Sequence, residues 1–493
     1  MRARLAIALL LAAPPAVAAA AGSATIVGTV RADLLIGRDG SDRIVARAGD
    51  DRISAEYDGG FDRISCGPGR DVAAVDGRDR VENDCEVVST RIHRDRQANV
   101  ESQHETQVEP DSQTVGATTV ALFQNGRNVS GGAASIGFSS SRDGGRTWHE
   151  GILPGLTATS VPPGPSTRAS DPVLAYDSKH GVWLANTLAI APGVTRLTIH
   201  RSRDGVAWTG PLDAARSTTA NLAYDKDWLT CDNGPASPFH GRCYLAYTLV
   251  GEQEGQDDLA VQRSDDGGLS WSAPVTLRTG VTGVIPVVQP NGMLTFVFWS
   301  QPASSMIAVR STDGGVTLGD PVTLAKFQSK PASPFRAPPL PAVDVDGAGR
   351  VVAIWQDCRF RSHCQGNDVV FTRSSDGTTW SQPVRITRDR NAVMPTIGVE
   401  PGTGRLAIAY YAIRPDGIDA ELVTSQDGSS WSAPQRLNPR RMSLMWMPET
   451  TLGRMLADYI GVSWSRGRPL VVYALASPPR NGKLRQAIYA ARG

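Results

Sequence analysis

One short pattern recurs along most of this chain and limits the folds that it can form. Serine, any residue, aspartate and glycine begin the pattern, and an aromatic residue usually ends it. Side chains of aspartate and serine accept hydrogen bonds from turn N–H groups, and glycine adopts positive φ there. A residue type needed this often indicates a structural role, so we expect Asp143 and its counterparts to hold turns. The six copies are SRDGGRTW (141–148), SRDGVAW (202–208), SDDGGLSW (264–271), STDGGVTL (311–318), SSDGTTW (374–380) and SQDGSSW (425–431).

Each copy, called a box below, lies inside a larger unit of apolar segments. An apolar strand precedes the box, as in SIGFSSS (135–141), and another precedes that one, as in TTVALFQ (118–124). A proline and a hydrophobic residue follow the aromatic residue, as in WSAPV (271–275). The unit is therefore strand, turn, strand, loop, strand, box turn and short strand. One such sheet cannot bury both of its faces alone, so the pattern predicts a ring of sheets, a β-propeller.

The number of units sets the size of the ring. Six units carry a box, and a further unit with three strands but no box ends the chain, at 458–492. We expect the N-terminal side to supply its missing outer strand near residues 97 to 103, which closes the ring and protects a sheet edge. The prediction is an all-β, seven-bladed propeller over 104–493; a six-bladed ring is the alternative.

The boxes resemble the Asp boxes of the sialidase (neuraminidase, BNR-repeat) superfamily, over nearly all of 100–493. The resemblance implies a propeller and, for the enzymes of this family, release of terminal sialic acid. That reaction needs three arginines on the substrate carboxylate, a tyrosine nucleophile with a glutamate, and an aspartate acid/base. The first arginine normally lies in an F/Y-R-I-P phrase ahead of the first blade. The nearest match here, Phe335-Arg336-Ala337-Pro338, lies between the fourth and fifth units.

A second repeat occupies residues 28–88. Its aspartates are spaced by nine residues within two runs, and an apolar residue follows each aspartate. The pattern resembles the nonapeptide of hemolysin-type (RTX) calcium repeats, which wind into a parallel β-roll. The resemblance implies Ca²⁺ bound by carboxylates and turn carbonyls. A roll held by Arg–Asp pairs and a Cys66–Cys85 bridge is the alternative. The expected calcium ligands are Asp33, Asp42, Asp51, Asp62 and Asp71.

The N-terminal 21 residues predict export. Two arginines, an apolar run and small residues are typical of a signal peptide, which is excluded from the fold. An exported chain with cysteines in three close pairs is expected to contain disulfides, at 66/85, 231/243 and 358/364. Residues 89–103 are predicted to form a linker and the ring-closing strand.

Charge and hydropathy narrow the expected partners. The formal net charge is +1, which argues against a general nucleic-acid binder. No later stretch is long and apolar enough to span a membrane. The expected ligand is a glycan or an extracellular protein, and the expected location is extracellular.

Polar residues in the loops of one propeller face form the candidate site. Loops before the innermost strand and between the second and third strands share that face, opposite the box turns. Acids and bases there can bind a sugar or a carboxylate, or they can pair with each other and cap strands. The function predicted is a secreted carbohydrate- or protein-binding scaffold; an exo-α-sialidase is the alternative. The candidate catalytic residues are Asp171, Asp227, Arg336, Asp357, Arg359, Asp458 and Tyr459, with Lys226 and Asp368 beside them.

Overall fold

The computed structural model describes residues 22–95, 102–219, 223–251, 256–388 and 391–492. The predicted signal peptide, 1–21, lies outside these residues. The described chain is all-β apart from two short 3-10 helices, Ser362–Cys364 and Leu444–Trp446.

The N-terminal part is a parallel solenoid of short strands. Two parallel sheets, β1-β3-β5-β7 and β2-β4-β6-β8, run along it. Their inward side chains, among them Ile44, Ile53 and Ile64, form one buried core. The apolar residue after each repeated aspartate therefore fills the space between the sheets. In chain order the strands are β1 (Thr25–Val27), β2 (Leu34–Ile36), β3 (Arg43–Val45), β4 (Arg52–Ala55), β5 (Arg63–Ser65), β6 (Val72–Val75), β7 (Arg80–Val81) and β8 (Val87–Arg91).

The rest of the described chain consists of antiparallel units of four strands. Within each unit the strands pair in chain order. The first three units are β9 (Val108–Val115), β10 (Thr118–Arg127), β11 (Ala133–Ser141) and β12 (His149–Ile152); β13 (Arg168–Asp177), β14 (Val182–Ala191), β15 (Val194–Ser202) and β16 (Thr209–Ser217); and β17 (Tyr224–Cys231), β18 (Cys243–Leu249), β19 (Asp258–Ser264) and β20 (Val275–Arg278).

The next three units repeat this order, and a hairpin separates them from the last unit. They are β21 (Val281–Val288), β22 (Leu294–Ser300), β23 (Ser305–Ser311) and β24 (Val322–Lys326); β25 (Ala342–Val345), β26 (Val351–Asp357), β27 (Asp368–Ser374) and β28 (Val384–Arg385); and β29 (Asn391–Val399), β30 (Leu406–Arg414), β31 (Gly417–Ser425) and β32 (Gln435–Arg436). The hairpin is β33 (Glu449–Thr450) and β34 (Gly453–Arg454), and the last strands are β35 (Gly461–Ser465), β36 (Arg468–Arg480) and β37 (Lys483–Arg492).

The units form a β-propeller whose apolar core lies between neighbouring sheets. One buried cluster joins the first and second units, through Phe138 and Trp183, and another joins the third and fourth, through Tyr244 and Phe296. The first strand of each unit contacts the first strand of the next, and β35 contacts β9. Each sheet therefore buries its faces against its neighbours in the ring.

The last unit takes its outer strand from the solenoid. Strand β8 pairs antiparallel with β37, from Tyr489 opposite Arg91 to Arg492 opposite Val88. The same strand pairs parallel with β6 on its other side. The segment 97–103, from which the sequence analysis drew this strand, lies mostly outside the described residues. The expected boundary between 88 and 89 falls inside β8, so one continuous sheet crosses from the solenoid into the propeller.

Every box lies between the third and fourth strands of its unit, as the box at Asp313 illustrates. Asp313 Oδ1 accepts hydrogen bonds from the backbone N–H groups of Val316 (3.1 Å) and Thr317 (3.0 Å). Ser311 Oγ donates to the same oxygen, at 2.8 Å. Thr317 Oγ1 donates to the other oxygen, Oδ2, at 2.6 Å. Burial alone would raise the pKa of Asp313, but these hydrogen bonds, above all that of the Thr317 hydroxyl, outweigh it and lower the pKa to about 2. The box carboxylate therefore holds a turn.

The three expected disulfides are present, and they join Cys66 to Cys85, Cys231 to Cys243 and Cys358 to Cys364. Among the described residues, no helix is long and apolar enough to cross a membrane.

The hydrogen bonds of the box carboxylate predict a loss of stability that depends on pH. We expect Asp313→Ala to lower the free energy of unfolding by about 1 kcal/mol at pH 7, because two turn N–H groups lose their acceptor. Since the folded pKa lies below the unfolded one, the stabilisation is complete above about pH 4 and vanishes as the pH falls to about 2. Denaturant unfolding at several pH values measures this difference. Asp320→Ala, at an exposed neighbouring aspartate, is the control, and an equal loss in both variants would contradict the turn role.

Candidate functional site

Backbone bulges mark the first strands of several units. In β9, β13, β17 and β29 the pairing with the second strand shifts register. A residue at each shift has a left-handed backbone: Glu109 (φ 52°), Asp171 (φ 48°), Lys226 (φ 50°) and Met394 (φ 51°). Non-glycine residues rarely adopt this conformation, and bulges often re-aim side chains next to binding sites. The strain here coincides with charged residues, which directs attention to the surface that they share.

Three of these residues line one cleft. The cleft has a volume of about 480 Å³ and includes Glu109, Asp171 and Lys226 in its walls. The other charged lining residues are Arg127, at the end of β10, Arg168, Asp225 and Arg336, which comes from the segment between the fourth and fifth units. Side chains from four parts of the sequence thus converge, as expected for a ligand site.

An ion cluster forms the floor of the site around Asp458. Arg336 Nε donates to Asp458 Oδ1 at 2.8 Å, and the Nη2 of Arg336 and the Nζ of Lys226 both donate to Oδ2. Only 2% of Asp458 is exposed. Burial alone would raise the pKa of Asp458, but the two cations outweigh it and hold the pKa well below its usual range. Asp458 is therefore ionised, and it neutralises part of the cationic charge of Lys226 and Arg336.

Glu109 has the opposite protonation tendency. Burial raises the pKa of its carboxyl to about 8; Lys226 opposes this shift, and the negative charges of Asp458 and Asp171 add to it. Gln124 Nε2 donates to Glu109 Oε2. Neighbouring carboxyls with separated pKa values are the arrangement from which general acids and bases are drawn. Burial therefore favours the protonated form of Glu109, the form that a general acid requires.

Two arginines in the cleft form no ion pair with a carboxylate among the described residues, although the charge of Arg127 acts on the nearby Glu109. Arg127 is 3% exposed; its Nη1 donates to Gln124 Oε1 at 2.6 Å, and its Nε is buried without a partner. Arg168 Nη1 donates to Ser130 Oγ and to the carbonyl oxygen of Gly131, both at 2.9 Å. A buried guanidinium with no anion is unfavourable, so this part of the cleft is suited to a carboxylate ligand.

Two further acids of the site, Asp171 and Asp227, are held by hydrogen bonds from their neighbours. Asp171 Oδ2 accepts the backbone N–H of Lys226 at 3.1 Å, and Ser170 Oγ donates to Oδ1 at 2.8 Å. Asp227 accepts a hydrogen bond from Asn186, and burial raises its pKa well above the usual value. Both side chains are buried, which fixes their orientation.

Tyr459 lies beside this cluster, but its hydroxyl is hydrogen-bonded to the backbone. Its hydroxyl donates to the carbonyl oxygen of Pro172 at 3.2 Å, and its ring packs edge-on against Trp228 at 5.2 Å. Burial raises its pKa well above the usual value. A nucleophilic tyrosine needs a base on its hydroxyl, whereas this hydroxyl donates to a carbonyl.

A hairpin positions Arg336. The backbone N–H of Arg336 donates to the carbonyl oxygen of Arg454 at 2.8 Å. The backbone N–H of Arg454 donates to the carbonyl oxygen of Pro334 at 2.7 Å. Phe335 between them is buried. Strands β33 and β34 therefore hold the Arg336 segment over the cleft.

The structure brings together five of the predicted residues, with Lys226, and leaves two apart. Asp171, Asp227, Arg336, Asp458 and Tyr459 lie in or beside the cleft. Asp357 and Arg359 do not line it; Arg359 Nη2 donates to Asp357 Oδ2 at 2.7 Å, beside the Cys358–Cys364 disulfide. Asp368 likewise pairs with Arg385. Arg359 lies inside the disulfide loop, next to the end of β26, so its guanidinium reaches Asp357.

Sequence analysis missed Glu109, Arg127 and Gln124. Glu109 precedes a proline at the start of a first strand, as Asp171 and Met394 do in their units. That shared residue–proline step was a usable signal. The contributions of Arg127 and Gln124 depend on β10 lying beside the bulge, which no local pattern indicates.

The solenoid carries a second candidate site, a ladder of carboxylates. Asp51 Oδ1 accepts the N–H of Asp33 at 2.8 Å, and Asp71 Oδ1 accepts that of Asp51 at 2.7 Å. On the other edge, Asp62 Oδ1 accepts the N–H of Asp42 at 2.6 Å. Each of these three carboxylates thus accepts a hydrogen bond from a backbone N–H group of the preceding coil. The second carboxylate oxygens of Asp51, Asp62 and Asp71 are buried without partners.

Two carboxyls of the solenoid approach each other above Gly37. The Oδ2 atoms of Asp58 and Asp62 lie 3.4 and 3.5 Å from the point that a Cβ on Gly37 would occupy. Burial and the neighbouring Asp62 raise the pKa of Asp58 to about 7. Unpartnered buried oxygens of this kind suit a hard cation.

The described residues do not offer a cage of three carboxylates. The single group there with metal-ligand spacing is Cys66, Asp84 and Cys85, and its cysteines form a disulfide. A calcium ion in the solenoid would therefore take most of its ligands from turn carbonyls and water.

Comparisons with known proteins assign neither a family nor an activity to this chain. No protein-family model matches the chain, and a comparison with curated proteins finds no match. Similar solved structures include a protein of unknown function from Dyadobacter fermentans (18% identity, TM-score 0.47, 68% of this chain and 98% of that chain). A Hadza microbial sialidase (16%, 0.45, 62% and 64%) and an α-L-arabinofuranosidase from Fusarium graminearum (13%, 0.43, 66% and 92%) are also similar. With TM-scores below 0.5, none of these similarities assigns an activity.

The raised pKa of Glu109 predicts a pH-dependent stability. Because the folded pKa of about 8 exceeds the unfolded value near 4.3, stability falls as the pH rises through this window, by up to about 1.4 kcal/mol per pH unit. Glu109→Gln should remove that slope and leave the protein more stable at pH 8. Chemical unfolding between pH 5 and pH 8 tests this, with Asp320→Asn as the control. Parallel slopes in wild type and Glu109→Gln would show that Glu109 is ionised in the fold.

Proposed function

We propose that the protein is an exported, glycan-binding β-propeller whose cleft takes a sugar that carries a carboxylate. The observation that carries this proposal is the buried guanidinium of Arg127, which forms no ion pair with a carboxylate among the described residues and lines the cleft. A ligand carboxylate would supply the missing charge through a charge-assisted hydrogen bond. Three disulfides are consistent with export.

The ring that supports the cleft is proposed to have seven blades. Contacts between successive first strands continue from β9 through β35, and β35 contacts β9 again. With β8 as its outer strand, the last unit also has four strands. Glu109, Asp171 and Lys226 each lie at the bulge of a first strand, and Asp458 precedes β35, the first strand of the last unit.

Glycoside hydrolysis is the second candidate function, and the contrast between Glu109 and its neighbours favours it. A protonated Glu109 could act as the general acid, and Asp171, on the same cleft wall, could act as its carboxylate partner. The sialidase pattern is less suited, because Arg336 is paired with Asp458 and the Tyr459 hydroxyl is bonded to a carbonyl.

Binding of simple sugars tests the cleft. We expect glucuronic acid or N-acetylneuraminic acid to bind, glucose to bind far more weakly, and Arg127→Met to reduce acid-sugar binding about tenfold or more. The methionine keeps an apolar stem, so thermal unfolding should show a folded variant. Titration calorimetry measures the affinities, and fluorogenic sialoside and glucuronide turnover, in wild type and Glu109→Gln, tests hydrolysis.

A matched surface variant controls for charge. Arg278→Met removes an exposed arginine of the outer strand β20, which pairs with Asp258. This variant should bind the acidic sugars with the affinity of wild type. Equal affinity for glucose and glucuronic acid, or unchanged binding in Arg127→Met, would contradict the proposed ligand class.

We also propose that calcium stabilises the solenoid. Its support is the row of buried, unpartnered oxygens on Asp51, Asp62 and Asp71 and the carboxyl pair above Gly37. Burial and neighbouring carboxylates raise the pKa of Asp51, Asp62 and Asp71, and a cation there would offset both effects. Asp33 and Asp42 would contribute carboxylate oxygens at the N-terminal end of the solenoid. Asp33 Oδ2 there already accepts a hydrogen bond from the N–H of Thr29.

Metal removal gives the corresponding prediction. We expect millimolar Ca²⁺ to raise the midpoint of thermal unfolding and a chelator to lower it. At a free Ca²⁺ concentration of 100 times Kd, binding should raise the free energy of unfolding by about 2–3 kcal/mol. Asp62→Asn should weaken the response, and sodium chloride at equal ionic strength should not reproduce it. Identical unfolding with calcium and with chelator would leave the alternative, a roll held by internal pairs.

A further inference from the structure

A second depression lies far from the cleft. A groove of about 750 Å³ separates the last coil of the solenoid from the propeller rim. One wall is the solenoid chain 75–90, and the other consists of the first box turn and the turn between β35 and β36. The groove shares no lining residue with the cleft. Any ligand that it binds is therefore bound independently of Glu109 and Arg127.

The propeller wall of this groove is cationic. Arg146, Arg466, Arg468 and Arg492 line it. Within the described part of the chain, none of the four lies at ion-pair distance from a carboxylate, although Arg466 Nη2 donates to the carbonyl of Arg142 at 3.3 Å. Arginines without acidic partners on a concave surface are typical of anion recognition.

Four other units show what an arginine in the place of Arg492 normally does. In each, the arginine just before the box serine donates to a backbone carbonyl of the next box. These bonds run from Arg201 to Gly267 (2.7 Å), Arg263 to Gly315 (3.1 Å), Arg310 to Asp376 (3.1 Å) and Arg373 to Asp427 (3.3 Å).

Arg492 holds the same register but makes no such bond. It pairs with Leu470 of the second strand, as Arg263 pairs with Tyr244. Leu470 covers the second box glycine, Gly145, as Tyr244 covers Gly315. Yet the Nε of Arg492 is buried without a partner. Its guanidinium is thus left available on the groove wall.

The charges around Arg492 also favour a bound anion. Burial lowers the pKa of Arg492, and the like charges of Arg146 and Arg468 lower it further, with Asp143 opposing them. A bound anion would remove this repulsion and satisfy the orphan N–H.

The solenoid wall narrows the ligand class. This wall carries both signs of charge: Glu82 and Glu86 lie opposite the arginines of the propeller, and Arg80 pairs with Glu82 at 3.8 Å. Sugar hydroxyls can donate to such carboxylates, whereas a continuous line of phosphates would be repelled by them. A glycan with spaced anionic groups fits both walls.

We propose that this groove binds an acidic polysaccharide, whose carboxylate or sulfate groups contact Arg468 and Arg492 while its hydroxyls face the solenoid wall. The inference goes beyond the sugar bound in the cleft. It gives the solenoid a role in recognition, because the groove exists only where the solenoid and the propeller meet.

Binding to the full-length protein tests this inference. The probes are an oligogalacturonate, a sulfated dextran oligomer, neutral dextran and a single-stranded oligonucleotide, compared by calorimetry at two salt concentrations. We expect at least one acidic glycan to bind and both neutral dextran and the oligonucleotide to bind far more weakly. The acidic probe that binds identifies carboxylate or sulfate as the recognised group.

Variants assign the binding to the groove. Arg468→Ala with Arg492→Gln should lose about tenfold or more in affinity, whereas Arg278→Ala should bind as wild type, each with an unchanged unfolding midpoint. Arg127→Met should retain groove binding, so failure here and failure of the cleft proposal are distinguishable. The inference would be overturned if neutral dextran bound as well as the acidic glycans, or if the oligonucleotide bound more tightly than they do. Wild-type affinity in the double variant would also overturn it. If the double variant unfolds, Arg468→Ala alone decides.

Discussion

The whole structure depends on covering the two apolar faces of each four-stranded sheet. No unit has enough polar surface to leave either face in water, and the buried clusters accordingly span neighbouring units. Sheets packed face to face in sequence must either end in an exposed face or close on themselves. Contact between β35 and β9 achieves closure, and burial then stabilises every unit through its neighbours, by about 25 cal/mol for each Å² of apolar surface.

Closure by β8 links this ring to the solenoid. A strand that pairs with β6 on one side and β37 on the other leaves neither sheet with a free edge at the junction. Ser89 in this strand donates to the carbonyl of Leu437 at 2.7 Å, which ties the junction to the preceding unit. Separation of the two parts would break a sheet, so the solenoid is part of the propeller's closure and its coils are fixed relative to the rim.

The repeating elements were predictable from sequence because their causes are local. A box turn needs Asp313 to reach N–H groups three and four residues away, and the solenoid needs Ile44 to follow Asp42 into a core. The cleft was only partly predictable. Asp458 meets Lys226 across more than 200 residues, and Asp357 pairs with Arg359 instead of joining them. Both outcomes follow from the order of sheets around the ring, which local patterns do not encode.

Electrostatics distinguish structural charges from those available to ligands. Asp458 is buried with two cations, so the favourable pairing opposes the penalty of taking the charge out of water. Arg201, Arg263, Arg310 and Arg373 donate to carbonyls of the next box and thereby fasten adjacent units. Arg127 and Arg492 have neither kind of compensation at Nε. Arginines in this fold thus differ in whether their desolvation is offset. Arg127 and Arg492, which also form no ion pair among the described residues, each line a concave surface.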